Sequence, residues 1–199
     1  MSSSTKTSIH LDSMKRTLIV AMILFGFWSC RSLDYRTFGA DNDGKKEDVK
    51  AAAFSDLRLS FNYPASWAST NCTTSPFVHL VGIEDSAGSS FLILVYPSAI
   101  LSAEQLQKTA TSAFRSGASK PPRSKDFQEQ DAKREFLGGP RAGKSFQDTW
   151  GGKKRVTEFF TFEQEGVIFQ ITLQYFEDRA EAALKGIKII SDSLKHEKV

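Results

Sequence analysis

The chain has 199 residues, 40% hydrophobic and 25% charged, enough for one well-buried core with a tail. Its formal charge is +3, but Lys6, Lys15, Arg16 and Asp12 sit in an N-terminal stretch that reads as a leader, and without them 23 basic residues face 22 acidic ones, a net of +1. A near-neutral domain lacks the basic face that nucleic acid requires, and two cysteines, Cys30 and Cys72, exclude a disulfide-dense scaffold or a Cys-rich zinc site.

From Met14 the sequence reads MKRTLIVAMILFGFWSC: basic Lys15-Arg16, an apolar run from Leu18 to Trp28, then Ser29-Cys30. This is the layout of an export signal. The run is about half the roughly 20 residues that a membrane-spanning helix needs, so it reads as a cleavable segment. Residues 2–13 are polar and add nothing that export requires, which makes Met14 an alternative start. The end of the run resembles the lipobox of bacterial lipoproteins, with Ser29 before Cys30; Phe27 and Trp28 depart from the usual Leu and small residue. The resemblance implies acylation at Cys30 and a membrane anchor. An ordinary signal peptide cut near Cys30, or a Cys30 to Cys72 bridge, are the competing readings. Arg31 is not the aspartate that retains lipoproteins at the inner membrane, which favours the outer one. Residues 1–29 are thus expected to be leader and 30–53, polar and aperiodic, a flexible tether. The folded domain is expected over 54–199.

Within the domain, Leu57, Leu59, Phe61 and Tyr63 alternate with polar residues and predict a half-buried strand that Pro64 ends, with Trp67 in the turn beyond. Phe77 to Ile83 and Phe91 to Tyr96 predict a hairpin around the turn residues Glu84 to Ser89. Ser102 with Gln105 makes a capping box, stapled by Leu101 and Leu106, and starts a helix carrying Leu106, Ala110, Ala113 and Phe114 on one face, which Gly117 stops. Phe127 to Leu137 suits an edge strand. A turn at Gly138-Gly139-Pro140 leads into a strand over Lys144 to Trp150, a hairpin loop at Gly151 to Lys154, and a strand over Arg155 to Phe162. After Glu165-Gly166, VIFQITLQYF alternates cleanly as a strand. Asp178 with Glu181 is expected to cap a closing helix with Ala183, Ile187, Ile190 and Leu194 inward, leaving His196 in a frayed terminus.

The order of elements predicts an α+β domain with an antiparallel β-sheet flanked by helices. Together with FNYPASW at Phe61 to Trp67, the Gly-rich turn at Gly138 to Gly143 and the closing helix, it resembles the PsbP-like superfamily and its DcrB-like bacterial lipoproteins. That resemblance implies an α-β-α sandwich with an accessory or adaptor role, and supplies no catalytic constellation to carry over.

One segment matches a phosphate-binding expression letter for letter: Gly138 to Ser145, GGPRAGKS, satisfies G-x-x-x-x-G-K-S. A working P-loop needs a buried parallel strand before it and a helix after it, and neither is predicted. A nucleotide-binding enzyme using Lys144 and Ser145 is therefore the alternative, not the leading reading. A secreted hydrolase centred on His79 is a second alternative, without a Gly-x-Ser-x-Gly elbow to partner it. Asp41-Asn42-Asp43 and Glu84-Asp85 match no EF-hand loop. Basic residues gather at Lys120, Arg123 and Lys125, at Arg141 and Lys144, and at Lys153, Lys154 and Arg155. If their loops share one end of the sheet, they form an anion-binding rim; the plainer account is solubility. Phe159, Thr161 and Ile168, on the strand face away from the main core, either line a groove or lie beneath a helix. The expectation is a non-enzymatic, lipid-anchored module of the bacterial cell envelope, with no cofactor and no metal, binding an envelope protein or a small ligand.

Overall fold

Residue pairs with left-handed backbone punctuate the chain and fold it into hairpins. Leu137 and Gly138, with φ of 50° and 77°, and Gly151 and Gly152, with φ of 59° and 81°, are two-residue turns whose twist matches that of the strands they join. A computed structural model describes residues 51–56, 58–75, 78–99, 102–119 and 126–197. In chain order these form β1 (Ala51–Asp56), β2 (Leu59–Pro64), β3 (Ala68–Ser75), β4 (Val78–Glu84), β5 (Ser90–Pro97), helix α1 (Ala103–Ala118), β6 (Gln128–Phe136), β7 (Gly139–Trp150), β8 (Lys153–Gln164), β9 (Val167–Phe176), a 3₁₀ turn (Glu177–Arg179), helix α2 (Ala180–Ser193) and β10 (Lys195–His196). Seven strands make one antiparallel sheet in the order β3-β4-β5-β9-β8-β7-β6, and β1-β2-β10 make a second.

Strand alternation divides the large sheet into two unlike faces. On one, Phe91, Ile93, Phe160, Phe169, Ile171 and Leu173 are fully buried and join Ala183, Ile187 and Ile190 of α2 and Leu59, Phe61 and Trp67 of the small sheet and its turn in a single core. The opposite face puts Phe146 and Phe159 against Ala110 of α1, with Phe114 and Phe127 packed alongside. A helix on each face of an antiparallel sheet is the α-β-α sandwich that the sequence led us to expect.

Two glycines belong to this packing. At Gly143 on β7 an added Cβ would stand 2.3 Å from the Phe159 carbonyl oxygen and 2.5 Å from Phe160 Cδ1, so the Phe160 ring covers the bare backbone of its cross-strand partner. At Gly186 a Cβ would stand 2.6 Å from Trp67 Cζ2, so α2 closes on the indole through a position without a side chain.

The structure also departs from the expectations. Pairing begins at Ala51, with residues 51–53 opposite Asn62–Pro64, so the ladder takes in residues assigned to the tether. Strand β3 was not foreseen, because ASTNCTTS has no apolar alternation; it sits at the sheet edge, where only one neighbour asks for pairing. Helix α1 continues past Gly117 to Ala118, where Ser119 caps it through its backbone N–H to the Arg115 carbonyl. Asp178 does not cap α2, whose N-cap is Arg179 without a side-chain hydrogen bond; the Asp178 carboxylate instead accepts from Lys153 at 2.9 Å. His196 is not frayed: it pairs with Leu59 in β10, and its ring stands edge-on to Phe169. The leader, Cys30, residues 31–50 and Leu101 lie outside the described residues, as does the side chain of Cys72.

Candidate functional site

The GGPRAGKS segment is a hairpin turn followed by β7, not a loop before a helix. Its amides from Gly139 onward sit in the ladder with β6 and, from Gly143, with β8 as well. Lys144 and Ser145 are neighbours on a strand and therefore point to opposite faces. The Lys144 ammonium donates to Asp131 Oδ1 at 2.7 Å, a bond that raises its pKa, while Ser145 is buried on the side of the main core. No phosphate cradle exists here, and the second glycine of the pattern, Gly143, is explained by the Phe160 ring.

Of the basic residues expected to form a rim, the five that are described lie apart. Arg141, near the β6–β7 turn, donates to Gln164 Oε1 at 2.7 Å and lies 4.2 Å from the Phe162 ring centroid. Lys144 is on the other face. Lys153 and Lys154 flank the β7–β8 turn at the far end of β7, beside Asp178 and Glu177 respectively. Arg155 is buried, bidentate to Asp148 at 3.0 and 2.8 Å, with the Trp150 ring 4.6 Å away. Nine residues of strand separate Arg141 from Trp150, roughly 30 Å. These five cations thus share no single end or face, and each has an acidic or amide partner. Lys120, Arg123 and Lys125 lie outside the described residues.

The other sequence candidates take structural places. His79 on β4 is half-buried, and its Nδ1, the atom that an orienting carboxylate would hold in a triad, has no partner. Asp85 Oδ1 accepts from the amides of Ala87 and Ser89 at 2.9 and 2.7 Å, which closes the β4–β5 turn. Asp41 and Asp43 are outside the described residues. A charged cluster that sequence reasoning missed lies toward the main core: Arg134 is bidentate to the buried Glu158, and Tyr175 donates to the same carboxylate at 3.4 Å. Burial, followed by the Glu158 charge, raises the Tyr175 pKa.

The face under α1 is different in kind. Cross-strand register sets Thr157 opposite Gln174, Phe159 opposite Thr172 and Thr161 opposite Gln170, so the middle of β8 and β9 presents amides and hydroxyls around one phenyl ring. Leu92 and Leu94 of β5 flank this row next to Thr172 and Gln170. From above, Gln107 of α1 donates its Nε2 to the Phe159 carbonyl at 3.1 Å. Thr157, Gln170 and Thr172 are only 3%, 2% and 4% exposed, yet Thr157 Oγ1, Gln170 Oε1 and Thr172 Oγ1 have no hydrogen-bond partner, nor have Thr161 Oγ1 and Gln107 Oε1. Five such atoms thus lie on one sheet face or on the helix over it, spread along about 13 Å of β8. The expectation for Phe159, Thr161 and Ile168 is met on its second branch at Phe159, which lies beneath α1; Ile168 is fully buried. The signal in the sequence was the run of Thr and Gln at the even positions of VIFQITLQYF, which strand alternation places on the face away from the main core.

The architecture defined by these elements is an α-β-α sandwich with an apolar core under α2 and a face of mixed apolar and polar side chains under α1. The sequence matches no protein-family profile and no curated protein. Among solved structures it is similar to cyanobacterial PsbP (CyanoP) from Synechocystis sp. PCC 6803, at 14% identity and a TM-score of 0.47, over 79% of this chain and 98% of that one. It is likewise similar to LpqN, involved in cell envelope biogenesis of Mycobacterium tuberculosis, at 11% identity and a TM-score of 0.46, over 75% and 91% of the two chains. A protein from Bacteroides thetaiotaomicron VPI-5482 is similar at 12% identity and a TM-score of 0.40, over 71% of this chain and 46% of that one. The likeness is one of element arrangement, at identities too low to carry residues across, and the DcrB-like part of the expectation has no counterpart in these three.

Proposed function

We propose that this protein is a non-catalytic binding module of the bacterial cell envelope, exported by its leader, tethered through lipid at Cys30, and binding through the sheet face beneath α1. The observation that carries the binding part is the set of polar atoms without partners at Thr157, Thr161, Gln170, Thr172 and Gln107. A buried polar group left unpaired costs about 1–3 kcal/mol, so several together rival the whole stability of a domain, about 5–15 kcal/mol. In folded proteins such groups are paired by ordered water or by a bound ligand. Thr and Gln side chains hydrogen-bond but do not exchange protons near neutral pH, which makes the face a surface for recognition and not for catalysis.

Thr172→Val and Thr157→Val, of nearly equal volume, test the binding part by thermal melting. If the hydroxyls are paired in solution, each replacement leaves the melting temperature unchanged or lowers it by about 2–4 °C, the equivalent of about 1 kcal/mol for a domain of this size. A rise would show that the face is dry and unpaired, and would sink the reading. The tether is tested by intact-mass analysis of protein from a membrane fraction: a diacyl or triacyl adduct on Cys30 is expected, and an unprocessed soluble chain is the contrary result.

A further inference from the structure

We propose that the β7–β8 turn, with Trp150 at its tip, seats in the headgroup region of a lipid bilayer and so fixes which end of the domain faces the membrane. This rests on the tether at Cys30 and adds a second, non-covalent contact with the same membrane.

The turn has the make-up of an interfacial anchor. Among the described residues, Trp150 is the large apolar side chain that stands exposed, at 44%. It ends β7 opposite Lys153, and Gly151 and Gly152 between them meet nothing within 4 Å where a Cβ would stand, so the tip projects clear of the rest of the molecule. The indole is positioned by the Arg155 guanidinium, 4.6 Å from the ring, and Arg155 is itself fixed by two bonds to the buried Asp148. Indoles favour the boundary between water and hydrocarbon, because the ring is apolar while its N–H still needs a partner, and lysines beside them extend their charge to the headgroups. A protein partner would take roughly 800 Å² from each side, far more than a narrow two-glycine turn with one exposed ring offers.

The chain enters the domain toward the same end. Strand β9 reaches Phe176 opposite Arg155, next to the β7–β8 turn, and the 3₁₀ turn leads from there into α2, so the N-terminus of α2 is at this end. Strand β2 runs beside α2 in the opposite sense: Ser60 is opposite Lys195 beyond the helix C-terminus, the Asn62 amide donates to Ser193 Oγ at 2.9 Å, and Pro64 Cγ lies 3.2 Å from where a Cβ of Gly186 would stand. Ala51, the first residue of β1, pairs with Pro64 and therefore lies at the end of the small sheet nearer the turn. About 20 residues lie between Cys30 and Ala51, which even fully extended keep the domain within about 70 Å of its anchor. A contact too weak to recruit a free protein is populated at the effective concentration that such a tether sets. Lipid charge matters little to it, since Lys153 and Lys154 face Asp178 and Glu177 at 2.9 and 4.0 Å. Docked this way, the domain turns its other end, with the β6–β7 and β8–β9 turns, away from the bilayer.

The test is fluorescence of the acylated full chain in phosphatidylcholine vesicles, with and without bromine at the headgroup end of the acyl chains, where it quenches an indole on contact. The difference between the wild type and Trp150→Phe isolates Trp150 from Trp67. Trp67→Phe, which leaves Trp150 as the one indole after Cys30, gives the same reading should Trp150→Phe fail to fold. At least twofold quenching of the Trp150 emission is expected, unchanged in about 1 M salt, where exposed charges are screened. Quenching that salt abolishes makes the contact ionic and overturns the seat of the indole. A chain that floats with the vesicles while Trp150 stays unquenched overturns the docking and leaves the tether standing; a blue shift that instead grows with protein concentration gives Trp150 to a second copy and overturns it likewise. A chain that does not float with the vesicles overturns the tether and this proposal together.

Discussion

Gly186 illustrates how a single residue can run against local preference for the sake of a contact. In a helix interior glycine costs about 1 kcal/mol relative to alanine, so propensity alone favours Gly186→Ala. The Trp67 ring 2.6 Å from the would-be Cβ reverses the sign, because the indole is itself held between α2 and the small sheet. Gly186→Ala is expected to destabilise by about 1–3 kcal/mol, the usual range for overpacking. In a Trp67→Ala background the same substitution should be neutral or stabilising. The coupling is read from a double-mutant cycle in urea; additive effects would show that the contact is not responsible.

Helix α1 is legible in the sequence down to its first hydrogen bonds. Ser102 Oγ accepts from the Gln105 amide at 3.2 Å and Gln105 Oε1 from the Ser102 amide at 3.3 Å, the reciprocal pair that Ser-x-x-Gln announced. The hairpins at Gly151-Gly152 and Glu165-Gly166 were equally plain, since few residues adopt left-handed backbone and glycine marks where it occurs. Strands β3 and β10 and the first residues of β1 were not legible. Their side chains do not alternate, and they are strands because a neighbouring edge offers unpaired amides and carbonyls. What a cap cannot reveal is how tightly the helix is held. Amides of α1 are expected to exchange faster than those of α2 in native-state hydrogen exchange, because the apolar set on the α1 side of the sheet is smaller than the main core and is interrupted by Thr and Gln side chains. Equal protection would show that the mixed face anchors α1 as firmly as the apolar one anchors α2.

At the scale of the molecule, burial leaves a signature in alkali. Tyr96, on β5 beside Ile168 and 9% exposed, has its pKa pushed by desolvation from 10.0 up to about 12, and burial raises Tyr175 as well. Between about pH 10 and 12 the unfolded chain gives up the Tyr96 proton and the folded one keeps it. Stability is therefore full below pH 10 and falls as the pH climbs through that window, by an amount on the order of 2–3 kcal/mol for two pH units. Denaturant unfolding at pH 9 and pH 11 should show the drop, and Tyr96→Phe should lessen it; an equal drop in the variant would assign the loss to other groups.

The pattern of turns, alternation and caps along this chain was enough to establish an antiparallel sheet with two helices, because those signals are local and each is enforced within a few residues. The packing roles of Gly143 and Gly186, the pairing of Arg155 with Asp148, and the placing of Thr157, Thr161, Gln170 and Thr172 on the sheet face that Gln107 of α1 overlies were beyond it. GGPRAGKS shows why. Its letters fit a phosphate loop, but a strand sends Lys144 and Ser145 to opposite faces, and cross-strand register sets Phe160 over Gly143. Whether a polar residue is solvated, ion-paired or buried without a partner depends on what lies across the next strand and under the covering helix, and those neighbours come from distant parts of the sequence.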